Sequence, residues 1–128
     1  MSTICEWDSG MELLIDIKQG SYPNSINPRS KGKIPVAILS SMDFDAPTEV
    51  DTESLAFGPT GNEESLAFCN RSPEDVKDDG YDDLICHFYT QNAEFQCGDN
   101  EGILIGMTVD ETLLEGSDSV RIVPSACR

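Results

Sequence analysis

Between Asp75 and Asp83 the chain reads Asp75-Val76-Lys77-Asp78-Asp79-Gly80-Tyr81-Asp82-Asp83, five carboxylates crowded around one glycine. Calcium takes six to eight oxygens at about 2.3–2.6 Å, and alternate positions of a tight loop aim oxygens at one centre while glycine permits the bend. On that pattern Asp75, Asp79 and Asp83 supply carboxylates, Tyr81 supplies its backbone carbonyl, and Gly80 makes the turn. Lys77 takes the third ligand position, where an ammonium offers no oxygen and repels a cation. Either Asp78 swings in as substitute, or Lys77 neutralises the carboxylates and does the structural job of the ion. The twelfth position is Cys86, so no bidentate Glu closes the loop, and water or a distant residue completes the shell. The expected metal set is therefore Asp75, Asp78, Asp79, Tyr81 and Asp83, with calcium as the cofactor. The competing reading is an acidic turn that solvates a hairpin.

The remaining chemistry-bearing residues are sparse. His87 is the single histidine and a conceivable general base, the basis of an alternative reading as a small hydrolase. Its neighbour Cys86 points to the opposite face of any strand that holds both, so the two make a poor nucleophile–base pair. Gly116-Ser117-Asp118-Ser119 does not satisfy the G-x-S-x-G pattern of a nucleophile elbow and reads as a turn. Acid pairs for glycoside hydrolysis arise by chance in a chain with 24 Asp and Glu. The chain is accordingly read as non-catalytic. A carbohydrate-binding module is the sharper alternative, with Trp7, Tyr22, Tyr81 and Tyr89 as the aromatic candidates.

The formal charge of −16, from 24 acidic and 8 basic residues, makes phosphate backbones and anionic membranes poor partners. Cations, basic proteins and neutral glycans remain, and the partner expected is an unidentified protein or glycan. No apolar run is long enough to cross a membrane as a helix, and residues 1–12 lack the basic start and apolar core of a signal peptide. Five cysteines at positions 5, 69, 86, 97 and 127 form no C-x-x-C pair, which argues against a zinc site. Their odd number leaves at least one thiol free or intermolecular, with one or two disulfides possible, and Cys97 with Cys127 is the preferred pair.

The elements that must position these residues are strands. At 128 residues, one domain spanning 1–128 is expected, with residues 1–12 as a peripheral extension. Leu13, Ile15 and Ile17 alternate with Leu14, Asp16 and Lys18, the period-two pattern of a half-buried strand. A Gly-, Pro- and Asn-rich connection then leads to Ile34, Val36 and Ile38, where Pro35 predicts an edge or a bulge. Pro47 limits the next segment to one helical turn. The duplicated Glu53-Ser54-Leu55-Ala56-Phe57 and Glu64-Ser65-Leu66-Ala67-Phe68 fit a β-hairpin turning at Gly58-Pro59-Thr60-Gly61, with each Leu and Phe on one face. Leu84 to Tyr89 carries bulky groups on both faces and reads as a central strand, and residues 103–109 and 120–123 add two more. The fold class is all-β, an antiparallel β-sandwich of about seven short strands with at most one or two helical turns.

The phrase Ile15-Asp16-Ile17-Lys18-Gln19-Gly20-Ser21-Tyr22-Pro23-Asn24-Ser25-Ile26-Asn27-Pro28, followed by Lys31-Gly32-Lys33-Ile34-Pro35-Val36-Ala37-Ile38, resembles a β domain of exported bacterial proteins. The likeness continues through Phe57-Gly58-Pro59-Thr60-Gly61, the Asp75 loop to His87-Phe88, Gln96-Cys97-Gly98-Asp99 and Gly116-Ser117-Asp118-Ser119-Val120. The loop itself is similar to those of dockerins and thrombospondin type 3 repeats. Gln19, where that pattern has proline, and Lys77, where it has Asn, are the departures. The resemblance implies an extracellular or envelope-associated accessory domain, and with it an oxidising compartment that favours disulfides.

Overall fold

Alternating apolar residues pair into sheet wherever the pattern runs long enough. In the computed structural model, which describes residues 11–18 and 24–123, nine strands and two single-turn helices follow one another. They are β1 (Met11–Ile17), β2 (Ser25–Ile26), β3 (Lys33–Ile38), α1 (Ala46–Glu49), β4 (Val50–Gly58), β5 (Leu66–Cys69), β6 (Leu84–Tyr89), α2 (Thr90–Ala93), β7 (Glu101–Thr108), β8 (Leu113–Ser119) and β9 (Arg121–Ile122). The all-β expectation holds.

Seven strands share one sheet in the order β4-β7-β8-β1-β3-β6-β5, and β2 pairs with β9 apart from it. All pairs in the large sheet are antiparallel except β1 with β8, so the sheet is mixed where the sequence predicts antiparallel pairing alone. The sheet curls until its two ends meet, nearly closing a barrel: the Phe57 N–H donates to Glu63 O at 3.0 Å, and Ser65 Oγ donates to Phe57 O at 2.7 Å. One face of every strand then lines a shared interior, where Ile17, Val36, Ile38, Phe57, Phe88, Leu104 and Leu114 are fully buried. Phe57 anchors it, with ring centroids 5.1 Å from Phe88 and 5.7 Å from Phe95. Aromatic pairs at these separations add to the area they bury.

The two halves of the duplicated pentapeptide do not form the expected hairpin. β4 pairs with β7 and β5 with β6, at opposite ends of the strand order. The cause lies in the segment between them. Glu63 folds back, and its carboxylate accepts the Gly61 N–H at 3.0 Å and the Thr60 hydroxyl at 2.8 Å. The loop therefore wraps a side chain instead of reversing directly. Gly58 has no room for a Cβ, which would lie 2.4 Å from Glu63 Oε1 and 2.6 Å from Ala93 O. The two phenylalanines part company accordingly, Phe57 fully buried and Phe68 49% exposed.

Pro35 sits in β3 between β1 and β6, not on an edge. Its missing N–H is tolerated because the β1 ladder ends there: the Lys18 N–H donates to Pro35 O at 2.7 Å, and Lys18 leaves the sheet at φ 51°. The Gly116–Ser119 segment is likewise a strand, not a turn. Gly116 lies in β8 opposite Leu13, and an added Cβ would come within 2.8 Å of Leu13 O, so only glycine allows β1 and β8 to approach this closely. At the end of β1, Asp118 Oδ2 accepts the Ile17 N–H at 3.0 Å and the Asn24 amide at 3.2 Å. Met11 and Glu12 are part of β1, paired with Leu114 and Glu115.

Cys69 and Cys86 are register partners on β5 and β6 and are joined by a disulfide. Cys97 is also disulfide-bonded, while the Cys127 expected to pair with it lies outside the described residues.

Two outcomes follow for stability. The Cys69–Cys86 link closes a loop with a sequence separation of 17. A Cys69→Ala/Cys86→Ala variant is expected to lose about 3 kcal/mol in urea unfolding, the scale set by loop-closure entropy. Burial, and then the charge of Asp118, raises the pKa of Asp16. A raised folded-state value means that the ionised group destabilises the fold above that pKa and ceases to do so as pH falls below the unfolded value. Asp16→Asn is therefore expected to raise the unfolding temperature at pH 7 and to leave it unchanged near pH 3.

Candidate functional site

The nine-residue acidic loop is closed at its base by a two-bond bridge. The Glu74 N–H donates to Asp83 O at 3.1 Å, and the Asp83 N–H donates to Glu74 O at 2.7 Å. Inside it, Asp75 reaches across the turn: Oδ1 accepts the Asp79 N–H at 3.1 Å and Oδ2 the Gly80 N–H at 2.8 Å. Asp79 Oδ1 accepts the Tyr81 N–H at 3.0 Å. Asp78 at φ 57° and Gly80 at φ 90° both adopt the left-handed backbone that this reversal needs, and short polar residues and glycine tolerate it best. The Gly80 N–H, with smaller help from those of Asp79 and Asp78, holds the Asp75 carboxyl below the usual carboxylate range. The sequence pattern thus folds as a tight, internally bonded turn.

Asp83 behaves differently from the other acids. It is 0% exposed, and its two oxygens are used in two directions. Oδ2 accepts the Val76 N–H from the loop at 3.0 Å, while Oδ1 accepts the Ser40 N–H at 2.7 Å from the chain that follows β3. Ser40 Oγ in turn accepts the Ala46 N–H at 2.8 Å, the start of α1. One buried carboxylate therefore joins loop, sheet and helix. A cleft of about 430 Å³ lies between the two segments it ties, lined by Met42, Asp43, Asp45, Glu49, Tyr81 and Asp82.

Of the five residues expected to ligate a metal, the structure draws Asp75 and Asp79 together and leaves Asp78, Asp79 and Tyr81 exposed at the loop surface. Asp83 turns inward and serves as the anchor. Lys77 is exposed and makes no ion pair among the described residues. No group of three or more His, Cys, Asp or Glu is gathered as for a metal among the described residues. The donor chemistry, carboxylates and a carbonyl only, suits a hard cation.

His87 lies on the outer face of β6. Its ring stacks on Phe68 with centroids 4.5 Å apart, and Nε2 lies 2.9 Å from Asn70 Oδ1. Burial and then the charge of Lys33 hold its pKa below the usual value, so it is neutral at pH 7. A neutral imidazole facing an amide oxygen must carry its proton on Nε2, which leaves Nδ1 as an acceptor. Cys86, its neighbour, is sealed in the disulfide and turned to the interior. This Phe68–His87–Tyr89 strip is not legible in the sequence, because the duplicated pentapeptide places Phe68 on the face of a hairpin that does not form. Of the other aromatic candidates, Tyr81 and Tyr89 are exposed, and Trp7 and Tyr22 lie outside the described residues.

The chain matches no family model, no curated protein and no solved structure in comparison with known proteins.

The anchor role of Asp83 makes a sharp contrast with its neighbour. Asp83→Ala leaves two backbone N–H groups without their acceptor and is expected to cost about 3 kcal/mol. Asp82→Ala, at an exposed position, is expected to stay within about 0.5 kcal/mol. Urea titration of the two variants beside the parent chain checks this, and equal stabilities would remove Asp83 from its place in the fold.

Proposed function

We infer that this chain is a non-catalytic accessory domain whose acidic loop, ordered by calcium, holds a binding surface in shape. One observation carries the reading: the Asp75–Asp83 loop is fastened to the sheet through Asp83 but leaves Asp78, Asp79 and Tyr81 exposed. Carboxylates in one short loop repel one another, and a divalent cation relieves that repulsion with the oxygen donors it prefers. Asp75, Asp78, Asp79 and the Tyr81 carbonyl would hold the ion, with water completing its shell. The bound ion would stiffen the loop wall of the cleft that Tyr81 and Asp82 share with the segment after β3. The resemblance to β domains of exported bacterial proteins supports an extracellular setting, and disulfides at Cys69, Cys86 and Cys97 accord with it.

A hydrolase built on His87 is the less favoured reading. Its Nε2 is engaged by Asn70, and the adjacent Cys86 is in a disulfide and so is not a thiol for it to activate.

Calorimetric titration with calcium after chelation tests the metal. The expected result is saturable heat and a raised unfolding temperature, about 2.7 kcal/mol of stabilisation at a hundredfold excess over Kd. Asp75→Asn and Asp79→Asn should each abolish both. Absence of heat and of any thermal shift at millimolar calcium ends the calcium reading.

A further inference from the structure

We propose that the outer face of β3, β6 and β5, at its Tyr89 end, binds an acidic glycan, with sugar rings against Phe68 and Tyr89 and uronate carboxylates on Arg29, Lys31 and Lys33. The proposal rests on the reading of the chain as a binding module but not on the calcium loop. That loop leads into β6 at Leu84, and Tyr89 is at the opposite end of the same strand.

Charge singles this face out. The chain has 24 acidic and 8 basic residues, yet the outward positions Lys33 and Pro35 of β3, His87 and Tyr89 of β6, and Phe68 of β5 include no Asp or Glu, while Ala37 and Ile85 further along the same strands are buried. Three of the eight basic residues fall within positions 29–33, and the backbone ties them to the Tyr89 end. The Thr90 N–H and Oγ1 donate to Gly32 O at 3.1 and 3.0 Å, and Gln91 Nε2 donates to Arg29 O at 3.0 Å. Lys33 and Tyr89 are register partners, with Nζ 5.4 Å from the ring centroid. Arg29, Lys31 and Lys33 are all exposed; the exposed acids nearest in the chain are Glu64, next to the Ser65 whose carbonyl accepts the Tyr89 N–H at 2.7 Å, and Glu94 after α2. On an acidic molecule this is a local basic island, and at physiological ionic strength charges more than about 8 Å away are largely screened from it.

The same face presents flat apolar rings beside neutral polar atoms. Phe68 is 49% and Tyr89 44% exposed, large fractions for aromatic side chains. His87 and Tyr89 follow one another on one side of β6, about 6–7 Å apart along the strand. The His87–Asn70 contact leaves Asn70 Nδ2 and His87 Nδ1 as the polar atoms of the pair not engaged in it, a pair suited to hydroxyls. Rings for stacking, neutral groups for hydroxyls and ammonium or guanidinium groups for carboxylates together describe a uronic-acid chain.

The test is an NMR titration of the full-length, isotope-labelled chain with a tetra-uronate oligosaccharide, run with calcium and again after chelation. Saturable shifts confined to residues 29–33, Phe68, Asn70, His87 and Tyr89 are expected under both conditions. Tyr89→Ala and Lys31→Gln/Lys33→Gln should each weaken binding at least tenfold while unfolding at the parent temperature, and a neutral tetrasaccharide should bind at least tenfold more weakly. No shifts at millimolar uronate, shifts elsewhere, undiminished binding by Tyr89→Ala, or equal binding of a polyglutamate peptide would each overturn the proposal. Loss of glycan binding alongside intact calcium heat sinks this inference alone, and the reverse pattern sinks the calcium reading alone.

Discussion

The buried carboxylate of Asp83 is the interaction on which the loop, the segment after β3 and the cleft between them depend. An acid removed from water is costly unless its oxygens are paired, and here each oxygen takes a backbone N–H from a different segment. Those N–H groups are themselves at places where no strand partner can serve them. Ser40 follows the end of β3, and Val76 begins the turn of the acidic loop. One side chain thus replaces two missing ladder bonds. Because the Asp83 backbone also closes the loop base against Glu74, side chain and main chain of a single residue set the loop's position and its width.

Similar logic recurs wherever the sheet leaves backbone unpaired. Asp118 caps the end of β1 through the Ile17 N–H, and Glu63 fills the Gly58–Gly61 bend with its carboxylate. Part of the acidity that reads as solvation in the composition is therefore structural, at Asp83, Asp118 and Glu63. Carboxylates accept without donating, so they suit a curled sheet whose strand ends expose more N–H groups than the ladders consume.

This explains what was and was not legible in the sequence. Period-two alternation located β1, β3, β6 and β7, because each has one face in the interior. β8 was hidden, since only Leu114 and Gly116 face inward, and Gly116 lacks a side chain to register on any apolar pattern. Local duplication suggested a hairpin, but pairing is decided by which edges meet once the sheet curls, and no local repeat encodes that. Pro35 pointed to an edge, yet the missing donor mattered only where β1 had already ended. At the candidate loop, residue types and the turn at Gly80 were readable, whereas the inward use of Asp83 was not. Spacing places a carboxylate at a loop position without saying which side of the loop it faces, and that depends on Ser40, distant in sequence.

The opposite ends of β6 carry opposite chemistry, and the strand's own residues account for it. At the Leu84 end the chain arrives from the acidic loop, so carboxylates collect around Gly80 and along the neighbouring cleft. At the Tyr89 end the partner strand β3 arrives from a basic connection, and antiparallel pairing of Lys33 with Tyr89 sets a cation over an aromatic ring. Between the ends, Ile85 is covered and His87 is held neutral by burial and by Lys33. A net charge of −16 therefore describes the molecule poorly at the scale a ligand senses. With screening over about 8 Å, a ligand on either end meets only its local charges, and the rigid strand between them keeps the two environments from merging.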